Sequence, residues 1–491
     1  MTGFAAHGGD RRGLLVALPL PRHGHQHWYW HWSTPARIKT HAAAAVALAC
    51  CLAALTAVLV GELHGEFGVI GQTDAPEADA TTGLYFALND MDAQVANVLL
   101  VGGAPALAAT QAKNLAIYAN DRSTASRDLE RATVAEAGNA AAEQELALVL
   151  DRIGQYEALA ADAMLASQQA HSAGGRPPAA AVGYLRQATD LMQASILPSV
   201  ESLAEVGASR LDGAYQRGRT AALTGIVWAI VAGLLLTATL ITLQLYLAAR
   251  FRRLLNPALA TATALALVFA AVTAGRLGAE SGQLKVAKQD AFGSIQALGL
   301  TRAVSYDANA DESRYLADPG RAAQYQQAFL SKSQQIANVG PVTISGYDAA
   351  LAADIKAYQR DNADVRFGGY LGAEFRNITF PGERQAAVAT LLAFQRYERD
   401  DRTLRALANG SPTAAVGYDT GTAPSQSDGA FNQYDAALSS VIAINSAAFT
   451  TAVTEGENGT ATRYLALAAL AGLLVAALTY AGVRSRLSEY R

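Results

Sequence analysis

Four apolar stretches without a charged residue, 42–61, 220–249, 254–275 and 464–483, divide this chain of 491 residues. A hydrocarbon core of ~30 Å is crossed by ~20 residues of helix, and each stretch reaches that length. Inside lipid the backbone must satisfy its own hydrogen bonds, so a lone spanning segment is a helix. The second and third stretches are separated only by Arg250-Phe251-Arg252-Arg253, whereas 62–219 and 276–463 are long enough to fold as domains. The order is therefore span, domain, span, tight basic turn, span, domain, span.

Charge orients this layout, because Lys and Arg close to membrane ends stay in the cytoplasm. The turn 250–253 holds three arginines. The tail 484–491 sets Arg484, Arg486 and Arg491 against Glu489. The segment 1–41 sets Arg11, Arg12, Arg22, Arg37 and Lys39 against Asp10. Four spans place all three segments on one side. The expected localisation is the plasma membrane, multi-pass, with both termini cytoplasmic. The two long segments then lie outside, with 20 acidic and 10 basic residues in 62–219 and 20 and 16 in 276–462. An acidic exterior excludes nucleic acid, which needs a basic face to neutralise phosphate. The two cysteines, Cys50 and Cys51, both fall in the first span, so no disulfide holds either long segment.

Both long segments read as helical. Val149, Ile153, Tyr156, Leu159 or Ala160, and Ala163 recur every three or four residues. So do Val182, Leu185, Ala188 or Thr189, Met192, Ile196, Val200 and Leu203, and later Phe431, Tyr434, Leu438, Val441 or Ile442, Asn445 and Phe449. These are the narrow apolar stripes of helices packed lengthwise. Gly and Pro breaks predict helices near 74–101, 106–137, 140–172 and 180–218. In the second segment they predict helices near 276–316, 321–338, 346–407 and 428–456. The third of these is interrupted between Gly368-Gly369 and Pro381-Gly382, and the Gly-, Ser- and Thr-rich 411–429 reads as a mobile loop. The fold class expected is an all-α membrane protein: four transmembrane helices and two extracytoplasmic four-helix bundles of chemoreceptor-sensor type. In this scheme 1–41 is a disordered basic tail, 42–61, 220–249, 254–275 and 464–483 are the spans, and 62–219 and 276–463 are the bundles. The turn 250–253 and the tail 484–491 are cytoplasmic.

The halves resemble a duplication. Gly61, Leu63, Glu66 and Gly68 recur as Gly275, Leu277, Glu280 and Gly282. Farther on, Asp92-Ala93-Gln94-Val95-Ala96 parallels Asp307-Ala308-Asn309-Ala310-Asp311. Gly61, Gly65 and Gly68, like Gly275, Gly278 and Gly282, permit either a close helix crossing or a weakened joint. Asn256-Pro257 reads as the cap and first turn of the third span.

No catalytic constellation emerges: there is no phosphate-cradling loop, nucleophile elbow or metal-binding His-Glu-x-x-His helix. No enzyme, cofactor or metal site is expected. Glu398, Asp400 and Asp401, interleaved with Arg399 and Arg402, read as a solvated helix face. The N-terminal histidines His23, His25, His27 and His31 read as a tail, and Trp28, Trp30 and Trp32 as an inner-leaflet contact. A transporter needs ionisable groups within its spans, and these spans hold none. Sensing remains. The cytoplasmic segments are short, so any message is handed to another protein.

The architecture, with Arg252-Arg253-Leu254-Leu255-Asn256-Pro257, Ile196-Leu197-Pro198, Asn377-Ile378-Thr379-Phe380-Pro381-Gly382-Glu383-Arg384 and the C-terminal Arg486-Leu487-Ser488-Glu489-Tyr490-Arg491, resembles the GlnX family. These actinobacterial membrane proteins are associated with the glutamine-type binding lipoprotein GlnH and the serine/threonine protein kinase G. The resemblance implies a non-enzymatic relay of amino-acid availability from an extracytoplasmic solute-binding lipoprotein to a cytoplasmic serine/threonine kinase, reached directly or through an intermediary. The alternatives are a direct small-ligand sensor of chemoreceptor type and an accessory subunit of an amino-acid transporter. Partners expected are membrane lipid, the lipoprotein and the kinase, with a homodimer left open. The candidate outer contact is Tyr370, Phe375, Arg376 and Phe380, taken as a non-helical excursion. The candidate inner residues for topology or partner contact are Arg250, Arg252, Arg253, Arg484 and Arg486.

Overall fold

The computed structural model describes residues 34–251, 256–458 and 461–487, and all regular structure among them is helical. The N-terminal histidines and tryptophans considered above lie outside the described residues. The first half runs through α1 (Thr34–Val69), α2 (Ala75–Val101), α3 (Ala108–Ala135), α4 (Ala140–Ala170), α5 (Ala179–Leu191) and α6 (Leu197–Phe251). The second half runs through α7 (Pro257–Lys285), α8 (Gly293–Ala317), α9 (Ala322–Ile336), α10 (Ile344–Arg360), α11 (Gly369–Asn377), α12 (Glu383–Gly410), α13 (Pro412–Asp419), α14 (Ser427–Asn458) and α15 (Ala461–Leu487).

Three of the junctions are not breaks. Single π-helical segments, Ile70–Asp74, Met192–Ile196 and Val286–Phe292, join α1 to α2, α5 to α6 and α7 to α8. A π segment accommodates an extra residue without ending the helix. Continuous helical rods result over Pro35–Val101, Ala179–Arg250 and Pro257–Ala317, the first of 67 residues and so about 100 Å long at 1.5 Å per residue. Each carries a membrane-length apolar segment, and in the first and third the outer helix, α2 or α8, is rich in buried polar groups.

Among the described residues the four larger cores follow the rods upward. At the apolar end, Leu52, Leu236, Leu243, Phe269 and Val475 bring α1, α6, α7 and α15 together. The outward faces of these helices carry bare large side chains such as Trp228, Leu234, Leu245, Val268 and Leu473. An apolar belt of this kind has no place in water. Within it Gln244 donates to Leu259 O and Thr263 Oγ1, which satisfies its amide inside the helix packing. Next comes a joint core, where Leu63, Phe67, Ile70, Tyr215, Leu284 and Phe292 meet. Beyond it are two lobes, one built on α2–α6 around Val149, Tyr156, Leu185 and Met192, the other on α8–α14 around Phe329, Tyr347, Phe394 and Tyr434.

Among the described residues five helical stretches are long and apolar enough to cross a membrane, one more than the four apolar runs suggest; the additional one is Ser427–Glu457. In the structure that helix buries Phe431, Tyr434, Leu438 and Val441 in the second lobe, and its Asp435 pairs with Arg302.

The glycines left ambiguous by the sequence are open. A Cβ added at Gly61, Gly65, Gly68, Gly275, Gly278 or Gly282 meets nothing within 4 Å. The close crossings are elsewhere: a Cβ on Gly233 would sit 2.3 Å from the Ala270 Cβ, and one on Gly456 would strike the Phe67 ring.

Asn256 caps α7, its Oδ1 accepting from Ala258 N and Leu259 N, while its Nδ2 donates to Gly482 O at 2.8 Å. It thus ties the start of α7 to the end of α15. Asn256→Ala is expected to cost about 1 kcal/mol, read as a lowered melting temperature of the detergent-solubilised protein.

Two expectations need correction. The segment 411–429 is not an irregular loop throughout: Ser411 caps α13 by accepting from Ala414 N, and Val416 and Asp419 are buried beneath it. The interruption expected within 346–407 is present, but it begins earlier, at 361, and holds a short helix of its own, α11, between α10 and α12. Gly369 and Gly382, at φ 70° and 84°, begin α11 and α12.

Candidate functional site

Helices α2 and α8 carry polar residues all around their circumference, yet both are enclosed. On α2 these are Asn89, Asp90, Asp92, Gln94 and Asn97. On α8 they include Asp307, Asp311, Glu312, Ser313 and Arg314. A buried charge is tolerated only when paired and hydrogen-bonded, and the pairing runs across the two lobes.

Arg314, 1 % exposed, is the centre. Its Nη2 donates to Asp92 Oδ2 of the first lobe at 2.5 Å. Its Nη1 donates to Asp307 Oδ1 at 3.0 Å and Asp311 Oδ1 at 2.6 Å. Lys332 on α9 contacts Asp307 Oδ2 at 2.7 Å and Asp311 Oδ2 at 2.5 Å. From the first lobe, Thr189 Oγ1 donates to Asp92, and Gln193 Nε2 donates to both Asp307 oxygens at 2.9 and 3.0 Å. Three carboxylates thus face two cations. Burial pushes all three acids up. At Asp307 the Lys332 and Arg314 charges outweigh it and hold the group below the usual carboxylate range, whereas Asp92 and Asp311 stay raised.

Around this centre the lobes are stitched at half-exposed pairs. Arg186 makes a bidentate bond to Asp318 at 2.7 and 2.5 Å, and Arg321 pairs with Asp190 at 2.9 Å. Ser313 Oγ donates to Asn97 Oδ1 of the first lobe and lies 3.0 Å from Asp419 Oδ2.

A second, more acidic cluster adjoins it inside the second lobe. Glu312 Oε2 accepts from Tyr397 Oη and Ser427 Oγ, both at 2.9 Å. Asp401 takes Arg405, whose guanidinium lies over the Tyr315 and Phe329 rings at 4.6 and 5.2 Å. Burial pushes Glu312, Glu398 and Asp419 well above the carboxylate range and Asp428 to about 7. Glu398 and Asp401 are 5 % and 1 % exposed, so this stretch of α12 is not a solvated face. The alternation of Glu, Arg and Asp conceals which members turn inward.

The predicted outer contact also changes. Tyr370, Phe375 and Arg376 lie on α11 rather than on an irregular excursion. Phe375 is 4 % exposed and packs edge-on against Tyr358 and Phe367 at 4.8 and 5.1 Å, so it presents no surface. Arg376 donates to the carbonyls of Gly372, Phe367 and Val365. Asn377 pins the segment to the π-helical joint by donating to Gln289 O, Asp290 O and Ser294 Oγ. Tyr370 is half-buried. Phe380 lies apart from these three and, with Pro381, lines an open groove of about 440 Å³ against Val286 and α14. Of the inner arginines, Arg250 and Arg484 are exposed at the ends of α6 and α15. Arg252, Arg253 and the Arg486 side chain lie outside what is described. Among the described residues no group of three His, Cys, Asp or Glu is placed to hold a metal ion.

The Arg314 centre escaped sequence reading because its members come from α2, α5, the π segment 192–196, α8 and α9. One signal was present: polar residues on every face of helices flanked by strongly apolar runs demand buried partners. The geometry offers an ionic clamp joining two lobes whose helices continue into apolar segments.

Residues 66–216, which take in α2–α5 and the first part of α6, match the family model described as the actinobacterial sensor domain. No curated protein and no solved structure matches the chain. The match, over less than a third of the chain, supports a sensing and signalling role, and the long apolar helices are those of a membrane protein by length and composition.

Proposed function

We propose that this protein is a non-enzymatic transmembrane relay in the plasma membrane, passing amino-acid availability from an extracytoplasmic solute-binding lipoprotein to a cytoplasmic serine/threonine kinase. In this reading α1, α6, α7 and α15 are the four spans, α14 belongs to the second outer bundle, and both termini are cytoplasmic. The observation that carries it is the continuity of three helical rods from membrane-length apolar segments into the two lobes, whose facing helices are locked together at Arg314. A load on one lobe is then shared by the other, and a rod transmits displacement along its length. The size of the response is bounded by the partner's differential affinity for the two states.

Duplication of one span–bundle–span unit accounts for the same arrangement. The π segments Ile70–Asp74 and Val286–Phe292 follow the matching glycine-containing stretches. The two aspartates of the repeated motif, Asp92 and Asp307, converge on one guanidinium.

The test uses the full-length protein in native membranes. Photo-crosslinking from the outer lobes, with and without glutamine, glutamate or aspartate, is expected to capture a solute-binding lipoprotein. The purified protein is expected to transfer no phosphate. Absence of crosslinking under every amino-acid condition sinks the relay, and solute flux in proteoliposomes would replace it with transport.

A further inference from the structure

Beneath α11 two acids are sealed together without a cation. Glu374 of α11 is 1 % exposed, and Glu383, the first residue of α12, is 0 % exposed. They lie beside each other and beside Ser294 of α8. Glu383 Oε2 accepts from Thr379 N and Phe380 N at 2.6 and 2.8 Å, which fixes that carboxylate as an acceptor. Its Oε1 and both Glu374 oxygens are buried with no hydrogen-bond partner among the described residues.

The cations on the surrounding elements are engaged elsewhere. Arg376 of α11 donates to three carbonyls. Arg384 of α12 donates to Tyr358 Oη at 2.6 Å. Lys332 of α9 is held by Asp307 and Asp311, and Lys285, at the foot of the joint, pairs with Asp290 at 3.1 Å. The Arg314 centre sets two cations against three carboxylates; this pair has none. Two like charges in one desolvated site repel each other and lack the water that would stabilise them. A single proton on Glu374, donated to Glu383 Oε1, removes one charge and satisfies two of the three orphaned oxygens.

The place of the pair gives that proton a mechanical consequence. Asn377 lies one turn beyond Glu374 on the same face of α11. Its Nδ2 donates to Gln289 O and Asp290 O of the π segment Val286–Phe292 and to Ser294 Oγ. Helix α11 therefore rests on the bulge of the rod Pro257–Ala317.

We propose that Glu374 and Glu383 form a proton-binding site in the second lobe, and that its one bound proton latches α11 onto the π joint. When the proton passes from Glu374 to water, two carboxylates face each other, water enters to solvate them, and α11 lifts with Asn377 from the joint. Burial, opposed by Ser294 and reinforced by Glu383, raises Glu374 to about 7, so the latch empties near neutrality. The inference goes beyond the relay reading and does not depend on it: the pair binds its proton whether or not a lipoprotein docks.

The experiment is amide hydrogen exchange, read by mass spectrometry, on the full-length protein in lipid nanodiscs at pH 6 and pH 8. Each rate is corrected for the intrinsic dependence of exchange on pH. Protection of 369–382 and 286–294 is expected to fall about tenfold between the two. At pH 8 it is expected to drop below that of 387–397, so that α11 opens while the lobe stays folded. Glu374→Gln, whose amide donates to Glu383 at any pH, is expected to remove the difference between pH 6 and pH 8. Glu383→Gln, which removes the repelling charge, is expected to shrink it and keeps the test open where the first variant folds poorly. Equal protection of 369–382 at both pH values, its opening only together with 387–397, or an undiminished fall in both variants would overturn the proposal.

Discussion

Arg314→Met is expected to be the most damaging single substitution in the interface between the lobes. Removing one partner of a buried ion pair typically costs about 3–5 kcal/mol, because the opposite charge is left without compensation. Here Asp92, Asp307 and Asp311 would be left with Lys332 alone. Asp92→Asn is expected to cost far less, on the order of 1 kcal/mol. It leaves two carboxylates against two cations, and an asparagine oxygen still accepts from Nη2. Denaturation of both variants, followed by circular dichroism in one detergent, separates charge balance from packing. A loss for Arg314→Met no larger than that for Asp92→Asn would show that the guanidinium does not hold the site together. Arg314→Lys is expected to fall between, since one ammonium cannot reproduce the fork that reaches three aspartates.

Lowering the pH from 8 to 5.5 is expected to stabilise the protein, the reverse of ordinary acid behaviour. Burial raises Asp428 to about 7. Burial, offset by Arg210 and reinforced by Glu136, raises Glu77 to about 7. Burial, offset by Ser294 and reinforced by Glu383, raises Glu374 to about 7. An acid whose pKa is higher folded than unfolded binds more protons in the folded state. Stability therefore falls as pH rises from the unfolded value, near 4, through the folded one. At Glu374, which is 1 % exposed, descent to pH 5.5 restores on the order of 2 kcal/mol, at 1.36 kcal/mol per unit. Glu374→Gln imitates the protonated acid and is expected to flatten the profile. Below about pH 4 the trend reverses, as Asp307 and Asp318, held low by their cationic partners, take up protons and lose those pairs. A melting temperature that is flat or falling between pH 8 and 5.5 would rule out these buried neutral carboxyls.

What could be read in one dimension depended on how far apart the interacting residues lie. Residues Val149, Ile153, Tyr156, Ala160 and Ala163 share one face of one helix, and all five are buried in the first lobe. Their spacing alone announces the stripe, because a helix repeats every 3.6 residues. Breaks at Gly102, Gly175 and Gly340 are equally local, since each needs a positive φ that glycine adopts without strain. The charge pattern of 398–405 is local too, yet it misleads. Periodicity shows which residues share a face but not whether that face meets solvent or another helix. The π segments were invisible for a different reason. Two of them lie at the joint core and the third, Met192–Ile196, inside the first lobe, and the extra residue each accommodates leaves no mark in the flanking sequence.

Length, hydropathy and charge were enough to read an all-helical chain with membrane-length apolar segments bordered by arginines, because helix periodicity and the apolar run a bilayer demands are properties of contiguous residues. Only the tertiary structure decided which polar residues are buried. The apposition of α2 with α8 brings Asp92 to Arg314, 222 positions away, and the packing of α11 within the second lobe places Phe375 in a core. Desolvation and ion pairing depend on distances through space, which the order of residues along the chain does not contain.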